Sequence, residues 1–450
     1  MRRWIDEWHP DDEAFWAATG ARVARRNLLW SMVAEHIGFC VWVLWTIVVL
    51  HLDEAGIALS VSELFLLTLV PNLVGSLLRI PYTFAVPRFG GRAWTVVSAS
   101  LLLVPTLLLA LVVPSGWLSS QTDGVQLWVL VLCAAAAGVG GGNFSSSMAN
   151  ISFFYPERKK GFALGLNAAG GNLGVAVAQL VVPVAIAVDL AYAGWMWVPL
   201  IVLAMAGAWR FMDSLTEAKA DKSSYVRALA NGQTWVLSFL YVGTFGSFIG
   251  FSFALPLVIK TTFPEIQASV GFLGALLGSV FRPAGGWLAD RFGGARVTMT
   301  VFGGMALGTT AAMVGVRDHH FGLFFASFMV VFAMSGIGNG STYKMIPSIF
   351  ATVGRREAMT TGSEPSATAV EYKRRAAAVI GIAGAIGAFG GVLIQVVLRQ
   401  ASLGAAGDPE WSVPAFQVFL GSYAAFAAVT WAVYLRRASA YAPAKLLAPA

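Results

Sequence analysis

Apolar residues in this chain arrive in blocks of roughly 20, and that block length constrains the fold more than any motif does. A helix rises 1.5 Å per residue, so about 20 apolar residues cross the hydrocarbon of a bilayer. Twelve such runs can be drawn, at 28–51, 62–86, 93–113, 126–150, 160–187, 191–211, 234–258, 266–289, 296–316, 321–350, 376–398 and 414–435. They are long and only weakly alternating, which argues for helices over barrel strands, since hydrocarbon offers an open backbone no partner. The chain therefore reads as an all-α polytopic membrane protein. With 57% hydrophobic and 12% charged residues, it is too apolar for a soluble domain.

Charge placement orients it. Of 30 Lys and Arg, 24 fall with the termini and the loops around Arg88, Arg158, Lys219, Arg291 and Arg374. By the positive-inside rule both termini are cytoplasmic and the +7 net charge is topological, with no nucleic-acid partner implied. The expected organisation is a leader (1–27), a six-helix bundle (28–211), a charged linker (212–233), a second six-helix bundle (234–435) and a tail (436–450). The leader's Trp4, Trp8, Phe15 and Trp16 suggest contact with lipid headgroups. The polar stretch Ala351–Arg375 reads as a flexible connection. Cys40 and Cys133 lie in apolar runs, so no disulfide framework is expected.

The two halves are related. RIPYTFAVPRFGG, Arg79 to Gly91, recurs 203 residues later as RPAGGWLADRFGG, Arg282 to Gly294. The first arginine of each copy lies inside an apolar run, where a guanidinium that cannot lose its proton costs several kcal/mol, about 2.5 to 17 by different scales. Two at equivalent places suggest an anion held by both. Gly138–Met148 lines up with Gly336–Ile346, and Gly171, Gly174 and Gln179 with Gly387, Gly390 and Gln395. Small residues at this spacing let helices approach closely, and these four glycines are expected to form a sliding seam toward the opposite half. Two related six-helix bundles suit alternating access.

The Arg79…RFGG pattern, GGNFSSSMANISFFYP (Gly141–Pro156), AGGNLGVAVAQL (Ala169–Leu180), YVGTFGSFIGFS (Tyr241–Ser252) and GAIGAFGG (Gly384–Gly391) resemble the nitrate/nitrite porter family of the major facilitator superfamily. The likeness covers nearly the whole chain, including WHPDDEAFW at Trp8–Trp16. It implies a transporter of the inner membrane that works as a monomer without a cofactor, with Arg79 and Arg282 taking nitrate or nitrite, Asn172 donating its amide, and Phe144, Tyr241 and Phe245 bounding the space. A planar fork of donors matches a planar trigonal anion, where lysine would supply charge alone. Asn143, Ser147, Asn167 and Tyr343 are secondary substrate-site candidates. Arg88, Asp290 and Arg291 look like the superfamily's cytoplasmic gate motif, with Pro87 standing where the second copy has Asp290.

Glu35, His36 and Lys344 stand where the family's nitrate/nitrite exchangers, by this resemblance, carry untitratable residues. They are the candidates for proton coupling, either as a carrier pair or, in the plainer reading, as a fixed Glu35–Lys344 salt bridge. Exchange without protons is the alternative. An enzyme is not indicated: Gly140–Gly142 lacks the Lys-Ser/Thr of a phosphate loop, and His9, His36, His51, His319 and His320 make no metal site. A nitrate receptor without turnover and an organic-phosphate porter are the other classes that flux and competition would separate.

Overall fold

The computed structural model describes residues 4–216, 218, 222–362, 364–403 and 408–436. Most of the tail and part of the linker, including Lys219, therefore lie outside the described residues. Helices dominate, because inside a bilayer each backbone donor and acceptor must be satisfied within its own segment. Among the described residues eleven helices are long and apolar enough to cross a membrane, and Phe272–Phe292, which carries Arg282, is a further helix of 21 residues.

By contacts the chain divides into two compact units. The first comprises Met1–Ala220 with Ser252–Leu276 and Leu398–Leu403, and the second Asp221–Phe251, Leu277–Val397 and Gly404–Ala450. The first unit is built on α1 (Ala21–Trp42), α2 (Val61–Phe89), α3 (Gly91–Leu101), α4 (Asp123–Ala137), α5 (Val139–Phe154), α6 (Glu157–Ile186) and α7 (Val198–Phe211). A capping box opens α2: Ser60 accepts from the Glu63 backbone N–H while the Glu63 carboxylate accepts from that of Ser60.

The leader does not lie free against headgroups, as its aromatics suggested. Trp4–Ile5 forms a short parallel pair (β1) with Ser214–Leu215 (β2). Trp8 and Trp16, 4% and 6% exposed, pack with Phe154, Leu215 and Ala218. Burying two indoles against a preformed helix end removes more apolar area from water than a tangential contact would. Asp213 adds an ion pair with Arg26 and reciprocal hydrogen bonds with Asn27, and Glu13 pairs with Arg158.

The second unit comprises α8 (Gly232–Tyr241), a π-helical turn at Val242–Gly246, part of α9 (Ser247–Thr262), most of α10 (Phe272–Phe292), α11 (Gly294–Arg317), α12 (Phe321–Thr361), α13 (Pro365–Leu403) and α14 (Val413–Thr430). The expected flexible connection 351–375 is instead a helical hairpin: α12 runs on to Thr361, turns at Gly362 with φ 65°, and α13 begins at Pro365. What makes a polar stretch helical here is a local ion network. Tyr372 donates to Glu357, Arg375 pairs with Glu357 and Glu371, Arg227 reaches Glu371 at 3.1 Å, and Gly354 leaves room for the Tyr372 ring.

Both copies of the RFGG turn reverse at their first glycine, with φ 84° at Gly90 and 88° at Gly293. With ψ of 146° and 130°, these backbones lie where a side chain costs about 1–3 kcal/mol. A Cβ on Gly293 would meet nothing within 4 Å, whereas one on Gly90 would come within 2.5 Å of the Ser214 hydroxyl and 2.8 Å of the Trp4 ring. Gly293→Ala should therefore lower the thermal midpoint of the purified protein by strain alone, and Gly90→Ala by more, because it also disturbs the leader's seat. Equal losses in a melting assay would refute the second contribution.

Candidate functional site

In the first unit the site is organised around Arg79, which is 0% exposed in the middle of α2. Its guanidinium carbon lies over the Phe144 ring at 4.6 Å and over Trp42 at 5.5 Å. A desolvated cation on an aromatic face gains about 2 kcal/mol or more, which offsets part of its burial. Trp42 reaches this place because α1, α2 and α5 meet without side chains. A Cβ on Gly75 would sit 2.4 Å from the indole Nε1, one on Gly141 2.7 Å from its ring, and one on Gly140 2.1 Å from the Gly38 carbonyl. Trp42 Nε1 donates to the Pro71 carbonyl at 2.7 Å, which fixes the ring.

Three buried amides in this unit, Asn72, Asn143 and Asn172, have neither atom hydrogen-bonded among the described residues. Asn172, expected as a substrate ligand, is 0% exposed on α6 and leaves both Nδ2 and Oδ1 unmatched. Asn72, equally buried on α2 two turns before Arg79, does the same. Buried polar groups are nearly always satisfied, so an unmatched pair of atoms marks a place where an ordered water or a ligand would be held. Sequence reasoning missed Asn72 and Trp42. The seven-residue spacing from Asn72 to Arg79 was the available signal, whereas the position of Trp42 depends on four glycines, Gly38, Gly75, Gly140 and Gly141, from three different helices.

The second unit holds Arg282, 6% exposed on α10. Its Nη2 donates to the Tyr241 hydroxyl at 3.3 Å, the Tyr343 ring lies 5.6 Å from its Cζ, and Nη1 has no hydrogen-bond partner among the described residues. Tyr241 and Phe245 stack at 5.3 Å, and Phe245 and Phe248 continue the row at 6.3 Å. The π-helical turn between α8 and α9 starts just after Tyr241, a local widening often found at functional positions. Tyr343 is thus joined to the Arg282 group. Asn339, 1% exposed with its Oδ1 unmatched, is a further polar residue of α12 that the sequence reading passed over.

Other expected residues sort differently. Asn143, Ser147 and Asn167 gather around Glu35. Asn167 Nδ2 donates to Glu35 Oε2 at 2.7 Å and to Ser147 Oγ at 2.6 Å, and Ser147 Oγ meets Ser31 Oγ at 2.9 Å. His36 Nδ1 lies 2.8 Å from the Gly170 carbonyl, close enough for an N–H to donate to it. Lys344 is not the third buried cation that the sequence suggested. Its side chain is 48% exposed, and its Nζ donates to Asp290 Oδ2 at 2.8 Å within the second unit. The lysine's flexible stem carries the ammonium to the Asp290 carboxylate. A fixed Glu35–Lys344 bridge gives way to separate partners for each. Arg88 lies over Phe89, and Arg291 over Trp287 and Phe292.

The nearest neighbours of each of the four seam glycines lie inside its own unit. A Cβ on Gly171 would come 2.3 Å from Glu35 Oε1 and one on Gly174 2.4 Å from the His36 carbonyl, both on α1. In the second unit Gly387 makes room for Tyr241, at 2.5 Å, and Gly390 for Val242 and Gly246. Their role is to seat the polar and aromatic groups just described. Gly174→Leu should destabilise by about 1–3 kcal/mol or more through overpacking. Gly165→Ala on the same helix, where a Cβ meets nothing within 4 Å, should hold or gain up to about 1 kcal/mol. Indistinguishable melting curves for these two variants would contradict the assignment.

Comparison with known proteins agrees with this architecture. The family model described as Major Facilitator Superfamily matches residues 28–394. The chain is 38% identical to the "Nitrate/nitrite transporter NarU" of Escherichia coli (strain K12), over 96% of each protein. It is 34% identical to the "Probable nitrate/nitrite antiporter NarK2" of Thermus thermophilus, over 77% of this chain and 83% of that one. Among solved structures, a D-xylose-proton symporter superposes with a TM-score of 0.65 at 14% identity, covering 91% of this chain and 97% of that one. At that identity the likeness speaks for the fold alone.

Proposed function

Given that the chain belongs to the nitrate/nitrite transporters of the major facilitator superfamily, we propose that it carries nitrate, and also nitrite, across the cytoplasmic membrane by alternating access, with both termini in the cytoplasm. The observation that carries this reading is the setting of Arg79: a fully buried guanidinium over two aromatic rings, in a unit that also holds the unmatched amides of Asn172 and Asn72. An arginine lying over a ring presents its N–H donors at the edge of the guanidinium plane, and a planar trigonal oxyanion matches such a fork with two parallel charge-assisted bonds. Arg282, with Nη1 unmatched and Tyr241 bracing Nη2, supplies the second guanidinium.

Import of an anion into an inside-negative cell is opposed by about 2.3 kcal/mol per 100 mV; one co-moving proton cancels that electrical cost and lets a pH gradient drive uptake. Glu35 gives this chain a buried carboxyl, 1% exposed, for that purpose. Proton-coupled import is therefore the coupling mode adopted here. Nitrate/nitrite exchange is the second reading. It draws support from the name of the Thermus thermophilus relative, an antiporter, and from the pairing of Lys344 with Asp290, which removes it as a carrier partner.

Arg79→Lys and Arg282→Lys should each reduce nitrate uptake into proteoliposomes by at least about tenfold, because charge is kept while the fork is lost. Uptake near the parental rate at equal protein content would refute the role of the fork. Coupling is decided with the parent protein alone: an inward proton gradient should drive nitrate into liposomes empty of nitrite. Uptake that ignores the gradient and requires internal nitrite would establish exchange.

A further inference from the structure

The carboxyl of Glu35 sits in a cage that suits both of its protonation states. On one side Asn167 Nδ2 donates to Oε2, while Asn167 Oδ1 has no hydrogen-bond partner among the described residues. On the other side is a small cavity of about 10 Å3, bordered by Ser31, Glu35, Thr95, Ser98, Asn143 and Ser147. That volume is close to what one water needs, and the walls offer far more than the two to four polar contacts that hold a buried water. Asn143 borders it at 3% exposure with neither amide atom hydrogen-bonded among the described residues. Gly171 closes the remaining side, since even a methyl group there would overlap Oε1.

We propose that Glu35 is the proton-carrying group, that Asn167 and one water in this cavity hold it whether charged or neutral, and that α5 transmits its state to the anion. This assignment rests on the proton-coupled reading above. Loading forms an O–H bond on the carboxylate and neutralises it, and release breaks the same bond and returns the proton to water. The charged form accepts from Asn167 Nδ2. The neutral form donates its new O–H to the cavity water or, after the amide turns, to Asn167 Oδ1. Transmission follows from sequence order: Asn143 borders the Glu35 cavity, and Phe144, the next residue, lies against the Arg79 guanidinium. A shift of α5 that follows the loss of charge at Glu35 therefore moves the ring on which Arg79 rests.

The charged and titratable side chains carried by the elements around Glu35 are His36 on α1, Glu63, Arg79 and Arg88 on α2, Arg92 on α3, the Arg158–Lys160 run on α6 and Arg210 on α7, with further arginines at the start of α1. Of these, His36 and Arg79 stand in the interior of their helices and the rest toward helix ends, Cys40 on α1 and Tyr82 on α2 are further titratable groups, and α5 carries none. His36 is the competing proton carrier, and its ring is already engaged with the Gly170 carbonyl.

The test uses the full chain in proteoliposomes with the membrane potential clamped at zero. One proton per nitrate then gives about tenfold accumulation per unit of pH gradient. The parent should accumulate nitrate accordingly, and Glu35→Gln should not respond to the gradient. A parent without a response overturns the coupled reading and this assignment together. A responsive parent with a Glu35→Gln variant that accumulates within about twofold of it overturns the assignment alone. Loss of the response in His36→Gln but not in Glu35→Gln would also overturn it. If Glu35→Gln does not reach the membrane, Asn167→Ala serves instead. Removing this contact to the carboxylate should change the pH of half-maximal uptake. Lower uptake with an unmoved midpoint would mean that the cage is only structural, and would overturn the proposal.

Discussion

Much of this protein depends on how a permanently charged guanidinium is kept in apolar surroundings. Arg79 cannot neutralise itself, so the fold must answer its charge with geometry. The answer in the first unit is two aromatic rings, and those rings are seated by the absence of other side chains. Gly75 and Gly141 clear a slot for Trp42, Gly38 and Gly140 let α1 and α5 touch backbone to backbone, and Phe144 closes over the cation. Glycine is costly in a helix interior relative to alanine, and here that cost brings an indole and a guanidinium together.

The second unit meets the same constraint with different parts. Arg282 has a phenol to donate to and a second tyrosine ring nearby, and Gly387 clears the space that Tyr241 occupies. The repeat equivalent of Asn172 is Ala388, so the unmatched amide of the first unit has no counterpart there. The halves are thus related in backbone plan and unequal in chemistry: among the described residues the first unit carries the buried Glu35 carboxyl and the three amides with neither atom matched, and the second the aromatic row.

Much of the plan was legible in the sequence. Run lengths gave the helices, the 203-residue repeat gave the arginines, and the two RFGG copies share a backbone that only glycine takes easily. What escaped had physical reasons. The stretch 351–375 looked like a loop because it is polar, yet Glu357, Glu371, Tyr372 and Arg375 bind one another across two helices. Lys344 looked buried because its neighbours are apolar, but a long flexible stem reaches Asp290. The leader's tryptophans were ambiguous between lipid and protein, and β-pairing with Ser214–Leu215 decides for protein. Asn143, Ser147 and Asn167 could be recognised as polar faces, but which partner each face meets is fixed by helix rotation, which a single sequence does not encode locally.

The central claim is that the two guanidiniums take the anion, and equilibrium binding tests it without the complication of coupling. Titration of purified protein with nitrate, followed by calorimetry or by the shift in unfolding temperature, should show one saturable site in the parent. A ligand at 100 times its Kd stabilises the folded state by about 2.7 kcal/mol. That stabilisation should vanish in folded Arg79→Lys and Arg282→Lys variants. Nitrate that stabilises both variants as it does the parent would contradict the account.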